Sequence, residues 1–236
     1  MKLTPFSKVR KLAEERKGGK AALEKLIEHR ILQPKQLAKI KDDRYLSMMT
    51  RCVFQAGFNW KVVEAKWKGF EEAFHGFNPK GLAHLAPDKW DAYSQDTRII
   101  RNGMKIRTVL DNAHFVWNTA EEHGSFGKYF ANWPAQDQIG LMHWLKKEGS
   151  RLGGNTAMYF IRFIGKDGFI LSRDVIARLQ ASGVEIADQP TSKRDLQRAQ
   201  DAFNQWHTET GLPYTALSRI AGMSIGANQP MPASED

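Results

Sequence analysis

The sequence predicts an all-α protein. Three stretches place apolar side chains at spacings of three and four residues, as on one face of a helix, and no stretch shows the sustained alternation typical of strands. A hydrophobic content of 42% and seven tryptophans exclude a disordered chain, and 236 residues suffice for one large domain or two lobes. The three apolar stripes are Tyr45, Met48, Met49, Cys52 and Ala56; Val63, Trp67, Phe70 and Phe74; and Ile106, Val109, Leu110, Ala113 and Trp117.

The first half of the chain reads as a series of amphipathic helices. Residues 7–29 are rich in charge and are interrupted by the pair Gly18-Gly19, which predicts two helices with a turn between them. Asp42 or Asp43 can cap the next helix, which extends to about Ala56. The other two stripes predict helices over 61–74 and 104–118.

The second half contains the most apolar helix. Residues 156–165 are apolar on nearly all sides, with Arg162 as the one charge, so we expect this helix to be central. Leu196, Ala199, Phe203 and Trp206 predict a further helix, and Pro213 opens the last one. The tail from Gly226 has two prolines and many small residues, and we expect it to be disordered.

The stretch 147–178, KEGSRLGGNTAMYFIRFIGKDGFILSRDVIAR, is the most informative one. Gly149, Gly153 and Gly154 allow a sharp reversal, with positive φ where it is needed, and a helix begins at Thr156 and Ala157. Free N–H groups at such a helix start can hold a DNA phosphate without reading bases. The candidate phosphate-binding residues are Gly153, Gly154, Asn155 and Thr156. For the glycines alone, an ordinary helix–helix turn is the alternative interpretation.

The net charge and the number of cysteines indicate what kind of partner the protein binds and in which cellular compartment it works. The formal net charge is +9, which indicates a polyanionic partner, although a merely soluble basic protein has the same balance. The one cysteine, Cys52, excludes a disulfide framework and a cysteine-rich metal site. No run of 18 apolar residues and no signal-peptide core occur, so we expect a protein of the reducing cytoplasm that does not enter a membrane.

Two stretches resemble the helix-hairpin-helix DNA glycosylases. In GSRLGGNTA, Gly153, Thr156 and Ala157 stand in register with that family's hairpin, which reads Leu-Pro-Gly-Val-Gly, two variable residues, Thr-Ala. FQAGFNWKVVEAKWKGFEEAFHGFNP (54–79) and IIRNGMKIRTVLDNA (99–113) are similar to the 3-methyladenine DNA glycosylase I group. The likeness is collinear over residues 43–180, which makes it more specific than any single motif.

The resemblance implies a two-lobed helical fold. We expect the basic N-terminal helices of residues 1–41 to pack with the C-terminal helices of 185–225 as one lobe. Residues 43–180 then form the glycosylase-like core, with its hairpin at 149–157, and residues 226–236 form the disordered tail.

The resemblance also implies a pocket for an extruded base. Trp60 matches the stacking tryptophan of the group, and Phe58, beside Gly57, matches the loop that wedges into the duplex. Gln55 would touch the base or the gap, while Cys52 stands where the group has a glutamate that recognises the methylated base. Core packing is the alternative for Trp60, Phe58 and Gln55. Trp60 is the stronger pocket candidate, because it lies off the stripe of residues 63, 67, 70 and 74. With Tyr45 on the Cys52 stripe, these residues are the candidates for pocket and wedge.

Further departures from the family concern metals and the catalytic carboxylate. One cysteine cannot rebuild the group's zinc site, and Asp174 occupies a matching histidine position, so we expect no metal and no cofactor. The aspartate that stabilises the developing oxocarbenium ion aligns with Ser172, or with Asp174 if a gap is placed differently. Asp174 could instead cap the helix that begins near Arg173. Asn155 replaces the Schiff-base lysine of bifunctional relatives, which implies base removal without strand cleavage.

The sequence therefore predicts a monomeric, monofunctional glycosylase that flips and hydrolyses alkylated bases such as 3-methyladenine in double-stranded DNA. A non-catalytic relative that binds damaged or distorted DNA is the alternative, favoured by the missing glutamate and aspartate. A third hypothesis is an active glycosylase for another lesion, because a pocket floored by Cys52 could prefer a bulkier or neutral base.

Overall fold

The computed structural model describes residues 3–226, apart from the side chains of residues 87 and 88. Within that range the regular structure is entirely helical, which confirms the predicted all-α class. The helices are α1 (Phe6–Lys17), α2 (Lys20–Ile27), α3 (Pro34–Leu37), α4 (Asp42–Gln55), α5 (Trp60–Ala65), α6 (Trp67–Ala73), α7 (Pro79–Ala83), α8 (Pro87–Ala92), α9 (Gly103–His123), α10 (Phe126–Asn132), α11 (Gln138–Glu148), α12 (Gly154–Phe163), α13 (Arg173–Ala181), α14 (Lys193–Thr210) and α15 (Tyr214–Met223). Short 3-10 turns occur at His75–Phe77 and Ala135–Asp137.

Residue contacts divide the chain into two compact units. One unit contains the residues up to Arg30 and those from Gly168 onward, and the other contains Ile31–Asp167. The predicted domain boundaries near residues 41–43 and 180–185 differ from these positions, and that domain division stays a prediction. Residues 227–236, which belong to the predicted disordered tail, lie outside the described residues.

Two local expectations differ from the structure. The single helix expected over residues 61–74 is divided into α5 and α6 at Lys66, whose φ and ψ of −94° and −1° interrupt the regular turn. Asp42 and Asp43 lie in the first turn of α4, and Lys41 occupies the N-cap position without a side-chain cap bond. Asp42 is not free to cap α4, because its Oδ1 accepts a hydrogen bond from the Phe126 amide at 3.0 Å, at the start of α10.

The Ile31–Asp167 unit is built around α4 and α9. The long helix α9 packs against α4, α7 and α10, and α4 also packs against α12. Tyr45 lies at the centre of this core, fully buried, with ring centroids 5.0 Å from Phe126 and 5.5 Å from Phe130. Such aromatic pairs stabilise a core beyond the area that they remove from water, so this packing holds α10 against α4.

The other unit joins the two ends of the chain. The α1 ring of Phe6 packs 5.3 Å from that of Trp206 in α14, whose Nε1 donates to the Thr4 carbonyl at 3.0 Å. Phe169 stacks on Phe203 with centroids 4.5 Å apart. The helix α15 packs against α1, α2, α13 and α14, so this unit has a core of its own.

Candidate nucleic-acid interface

A buried asparagine of α9 holds the loop between α11 and α12. The Oδ1 of Asn112 accepts a hydrogen bond from the Ser150 amide at 2.8 Å, and its Nδ2 donates to the Ser150 carbonyl at 3.1 Å. The loop also passes so close to α11 that a Cβ at Gly149 would lie 2.8 Å from the Leu145 carbonyl oxygen. Sequence reasoning missed Asn112, although a polar residue within the apolar face of α9 was a signal.

The reversal requires left-handed backbone at two positions. The φ angles are +58° at Arg151 and +54° at Gly154. Gly149 and Gly153, with φ of −103° and −106°, adopt conformations open to any residue. The positive φ of the hairpin therefore falls on Gly154 and Arg151, while Gly149 is required for the close approach of two segments.

The start of α12 exposes backbone donors. The first N–H groups of a helix have no partner within it, and Gly153, at the N-cap, has no side chain with which to cap them. Gly154 and Asn155 are exposed, and Gly153 and Thr156 are half-buried. The predicted hairpin and helix start therefore exist as a surface feature, and the helix begins at Gly154, two residues before the position expected from the sequence.

Three cationic side chains line a cleft beside this helix start. The cleft has a volume of about 480 Å³, and no acidic residue is among the described residues that line it. Burial, with the charge of Arg151 as a second cause, lowers the pKa of Lys105, so the cations are close enough to oppose one another. A bound anion would relieve that repulsion. The lining residues are Val53, Ala56, Lys105, Lys146, Arg151, Leu152, Gly153 and Thr156.

Lys105 connects this cleft with the loop that follows α4. Its Nζ donates to the Phe54 carbonyl at 3.0 Å and to the Ala56 carbonyl at 2.7 Å, so it satisfies groups at the C-terminal end of α4. The same Nζ lies 5.9 Å from the ring centroid of Phe58. Gly57 has a φ of +67°, and Phe58 is 45% exposed at the tip of the loop. No feature of the sequence identified Lys105 as part of the site.

Trp60 is exposed beside two aromatic residues of α12. It is the first residue of α5, whose N-cap Asn59 accepts a hydrogen bond from the Lys61 amide at 3.0 Å. The indole is 41% exposed and meets Tyr159 and Phe163 edge to face, with centroids 5.3 Å and 5.8 Å away. The sequence separated Trp60 from the core stripe correctly, but it gave no reason to single out the two α12 rings.

The other pocket candidates are buried. Cys52 is 4% exposed, and burial raises the pKa of its thiol to about 12, so the thiol stays neutral at physiological pH. Tyr45 is in the core, and its hydroxyl donates to the Leu37 carbonyl at 2.9 Å. Gln55 is 5% exposed, and its Nε2 donates to the Glu64 Oε1 at 2.8 Å. Phe58 and Trp60 can therefore meet a ligand directly, whereas Cys52, Gln55 and Tyr45 are enclosed by protein.

Ser172 and Asp174 lie at the start of α13, in the other compact unit. Ser172 is the N-cap, and its Oγ accepts a hydrogen bond from the Val175 amide at 3.3 Å. The alternative that Asp174 caps this helix is therefore wrong, because the cap position is already occupied. Asp174 lies in the first turn with its side chain exposed.

Neither a metal cluster nor a membrane span occurs among the described residues. Between residues 3 and 226 no three His, Cys, Asp or Glu side chains are grouped so that they could hold a metal ion. No helix in that same part of the chain is long and apolar enough to cross a membrane. The expectation that the protein has no structural zinc stays a prediction.

Comparison with known proteins gives partial matches in sequence. The DNA-3-methyladenine glycosylase of Haemophilus influenzae is 37% identical over 59 residues, which are 25% of this chain and 32% of that protein. The DNA-3-methyladenine glycosylase 1 of Escherichia coli is 26% identical over 125 residues, which are 44% of this chain and 66% of that protein. The chain thus matches less than two thirds of the length of either relative.

Comparisons of structure and with a family model cover more of the chain than these sequence matches do. The crystal structure of an 8-oxoguanine glycosylase/lyase from Methanocaldococcus jannaschii superposes with a TM-score of 0.53 at 14% identity, over 90% of this chain and 94% of the other. At this identity the likeness supports a common helix-hairpin-helix fold alone. The model of the family described as methyladenine glycosylase matches residues 37–184, which include α4, the hairpin and the start of α13. This chain therefore belongs to the methyladenine glycosylase family.

Proposed function

We propose that this protein is a DNA glycosylase that flips alkylated bases such as 3-methyladenine out of double-stranded DNA and hydrolyses their N-glycosidic bond. The observation that carries the proposal is the role of Lys105 in the Ile31–Asp167 unit. This residue lines the cationic cleft beside the hairpin and also holds the carbonyls of the loop that presents Phe58. The cleft that we propose for the DNA backbone and the loop that we propose as the wedge therefore lie next to each other in one compact unit.

The hairpin would hold the DNA backbone. A phosphate seated at the start of α12 would accept hydrogen bonds from the exposed amides of Gly154 and Asn155. Lys105, Lys146 and Arg151 would supply the opposite charge. These contacts do not depend on sequence, which suits a repair protein that must bind a lesion wherever it lies.

The loop and α5 would replace the displaced base and receive the extruded one. Phe58 is an exposed apolar side chain beside a flexible glycine, and such wedges fill the space that a flipped nucleotide leaves. The exposed indole of Trp60 offers a stacking face, and a cationic methylated base gains electrostatic attraction to an aromatic ring in addition to stacking.

Bond cleavage would rely on the cationic base and on one exposed carboxylate. Because a neutral thiol at Cys52 cannot recognise a base as a carboxylate does, binding would depend more on stacking than it does in relatives with a glutamate there. Asp174 is the better catalytic candidate, since its carboxylate is exposed and is not used as the α13 cap. Ser172, as the cap, would at most orient water.

The mode of chemistry would be hydrolysis without strand cleavage. Asn155 stands at the first turn of α12, where bifunctional relatives have a nucleophilic lysine, and an amide cannot form a Schiff base. We expect the protein to act as a monomer in the cytoplasm, without a cofactor, and these expectations stay predictions.

One observation favours a second candidate function. The buried, neutral Cys52 leaves the proposed pocket without the glutamate of related enzymes, so the protein could bind distorted DNA without removing a base. A different lesion is a third possibility that fits the same observation.

Release of free bases from duplex DNA tests these alternatives directly. The full chain is incubated with methylated or deaminated duplex, and free bases are measured by liquid chromatography and mass spectrometry. The proposal predicts release of 3-methyladenine, and loss of release in Trp60→Ala. Binding without release of any base supports the non-catalytic alternative, and release of another base alone supports the third. Neither binding nor release refutes all three.

A further inference from the structure

The exposed aromatic side chains of the described residues lie in one region. Between residues 3 and 226, the exposed Phe, Tyr and Trp side chains are those of Phe58, Trp60 and Phe163. Phe58 and Trp60 have roles in the proposed function, whereas Phe163 has none. Phe163 ends α12 and is 36% exposed, and its ring centroid lies 5.8 Å from that of Trp60. Large apolar side chains that stay exposed next to one another commonly mark a binding surface.

Tyr159 extends this surface along α12. Its side chain is half-buried, and its ring centroid lies 5.3 Å from that of Trp60 and 5.5 Å from that of Phe163. The planes of Tyr159 and Phe163 differ by 39°, whereas Trp60 is nearly perpendicular to both, at 85° and 87°. No two of these rings stack face to face, so none of them covers the whole face of another.

The aromatic surface continues from the start of α12. Asn155, Tyr159 and Phe163 are four residues apart, so they lie on one face of the helix, each about 6 Å further along its axis. This face begins at the amides that we propose for a DNA phosphate and ends at Phe163. A strand whose phosphate is held at the start of α12 can therefore lay its next nucleotides along the rings.

The charge around the rings favours a nucleic-acid strand. The ten residues of α12 include no acid, and three cations line the cleft at its start. The one acid of α5 is Glu64, whose Oε2 pairs with the Arg51 Nη2 at 3.1 Å and whose Oε1 accepts from the Gln55 Nε2 at 2.8 Å. Aromatic faces beside a cationic groove are the features with which proteins bind unpaired nucleotides. In a duplex the bases cover one another's faces, so an intact duplex does not fit this surface.

We propose that Tyr159 and Phe163, together with Trp60, form a stacking surface for unpaired nucleotides, so that the protein binds single-stranded DNA along α12. The inference rests on the proposed function for the phosphate contact at the helix start. It goes beyond that function, because binding of an intact duplex does not use these faces. Since every base has an aromatic face, the binding depends on the presence of bases and not on their order.

The test compares two single strands that carry the same number of phosphates. One is a short oligothymidine, and the other is an abasic strand of equal length that is built from tetrahydrofuran units. The Kd of each labelled strand for the full chain is measured by fluorescence anisotropy, and the wild type should bind oligothymidine more tightly. Phe163→Leu and Tyr159→Leu should each raise the Kd for oligothymidine about 5- to 150-fold, the effect of losing one stacked base. Both variants should leave the Kd for the abasic strand unchanged.

Controls separate stacking from general damage. Phe163→Tyr keeps a ring at the same position and should keep the affinity for oligothymidine. Tyr129→Leu removes a half-buried tyrosine from α10, outside the surface, and is the matched control for Tyr159→Leu. The slope of log K against log salt should be the same in Phe163→Leu and in the wild type, because the ring binds no phosphate. Circular dichroism melting verifies that each variant is folded.

Several results would overturn the inference. They are no binding of either strand by the wild type, equal binding of both strands, or a Kd for oligothymidine that a folded leucine variant leaves unchanged. A leucine variant that weakens both strands alike would also overturn it, because the loss would then not depend on bases. If one leucine variant does not fold, the other variant and the wild-type comparison decide the question.

The proposed function is judged separately, by base release from duplex DNA. Release of methylated bases together with equal binding of the two strands would refute this inference and keep the glycosylase. Base-dependent binding of single strands without base release would refute hydrolysis and keep the inference.

Discussion

Gly153→Leu isolates the contribution of the hairpin to DNA binding. The substitution places a large side chain at the N-cap of α12, inside the cationic cleft. The backbone there, with φ −106° and ψ 166°, accepts any residue. The new Cβ would lie 3.2 Å and 3.3 Å from the Lys146 Cγ and Cδ, and this exposed, flexible side chain can move away.

The expected magnitudes differ for stability and for affinity. Loss of a favourable N-cap residue costs about 1 kcal/mol, so the variant should fold. The leucine should block phosphate from the amides of α12, and hydrogen bonds to charged groups contribute about 1.5–3 kcal/mol. The Kd for duplex DNA should therefore rise about 10- to 150-fold. Because the variant would bind one phosphate fewer, the slope of log K against log salt should become shallower by about 0.9.

Fluorescence anisotropy with a labelled duplex at several salt concentrations measures both quantities. Gly81→Leu on α7 is the matched control, since its Cβ meets nothing closer than 3.7 Å and Gly81 does not line the cleft. An unchanged Kd and salt slope in Gly153→Leu, with an intact circular dichroism spectrum, would show that the hairpin does not contribute to DNA binding.

Four further outcomes follow from the structure. Gly149→Ala should lower the free energy of unfolding by about 1–3 kcal/mol, because its Cβ would lie 2.8 Å from the Leu145 carbonyl; an unchanged melting temperature would contradict this. Burial lowers the pKa of Lys166 to about 8, so above that pH folding releases a proton that the unfolded chain still binds. The free energy of unfolding of the wild type, measured with urea relative to Lys166→Met, should therefore rise by up to about 3 kcal/mol between pH 8 and 10.5. A difference that does not change with pH would refute this. Asp174→Asn should slow single-turnover base release by on the order of 100-fold or more while changing stability by less than about 1 kcal/mol; a wild-type rate would make Asp174 non-catalytic. Because Asn155 cannot form a Schiff base, borohydride should trap no protein–DNA adduct and product strands should break only after alkali, and a trapped adduct would require an unrecognised amine.

The sequence by itself determined the helices and their turns, because these depend on neighbours three and four residues apart. The interruption at Gly18-Gly19, the helix after the hairpin and the exposure of Trp60 off the core stripe were predicted and are confirmed. The central position expected for that helix is not observed, because Phe163 of α12 is exposed and the unit is built around α4 and α9. The division at Lys66 was missed, since the apolar stripe continues across it. A serine just before α13 is also a local indication of an N-cap, but the resemblance to the family gave Ser172 a catalytic role instead.

The tertiary structure decided which of the candidate residues can meet a ligand and which hold others in place. Phe58 and Gln55 lie three residues apart in sequence, yet one is 45% exposed and the other 5%. The bonds from Lys105 to the end of α4 join residues about 50 positions apart, and those from Asn112 to Ser150 join residues 38 apart. Periodicity describes only the face that a helix presents, whereas such bonds depend on which helix ends the packed core brings together.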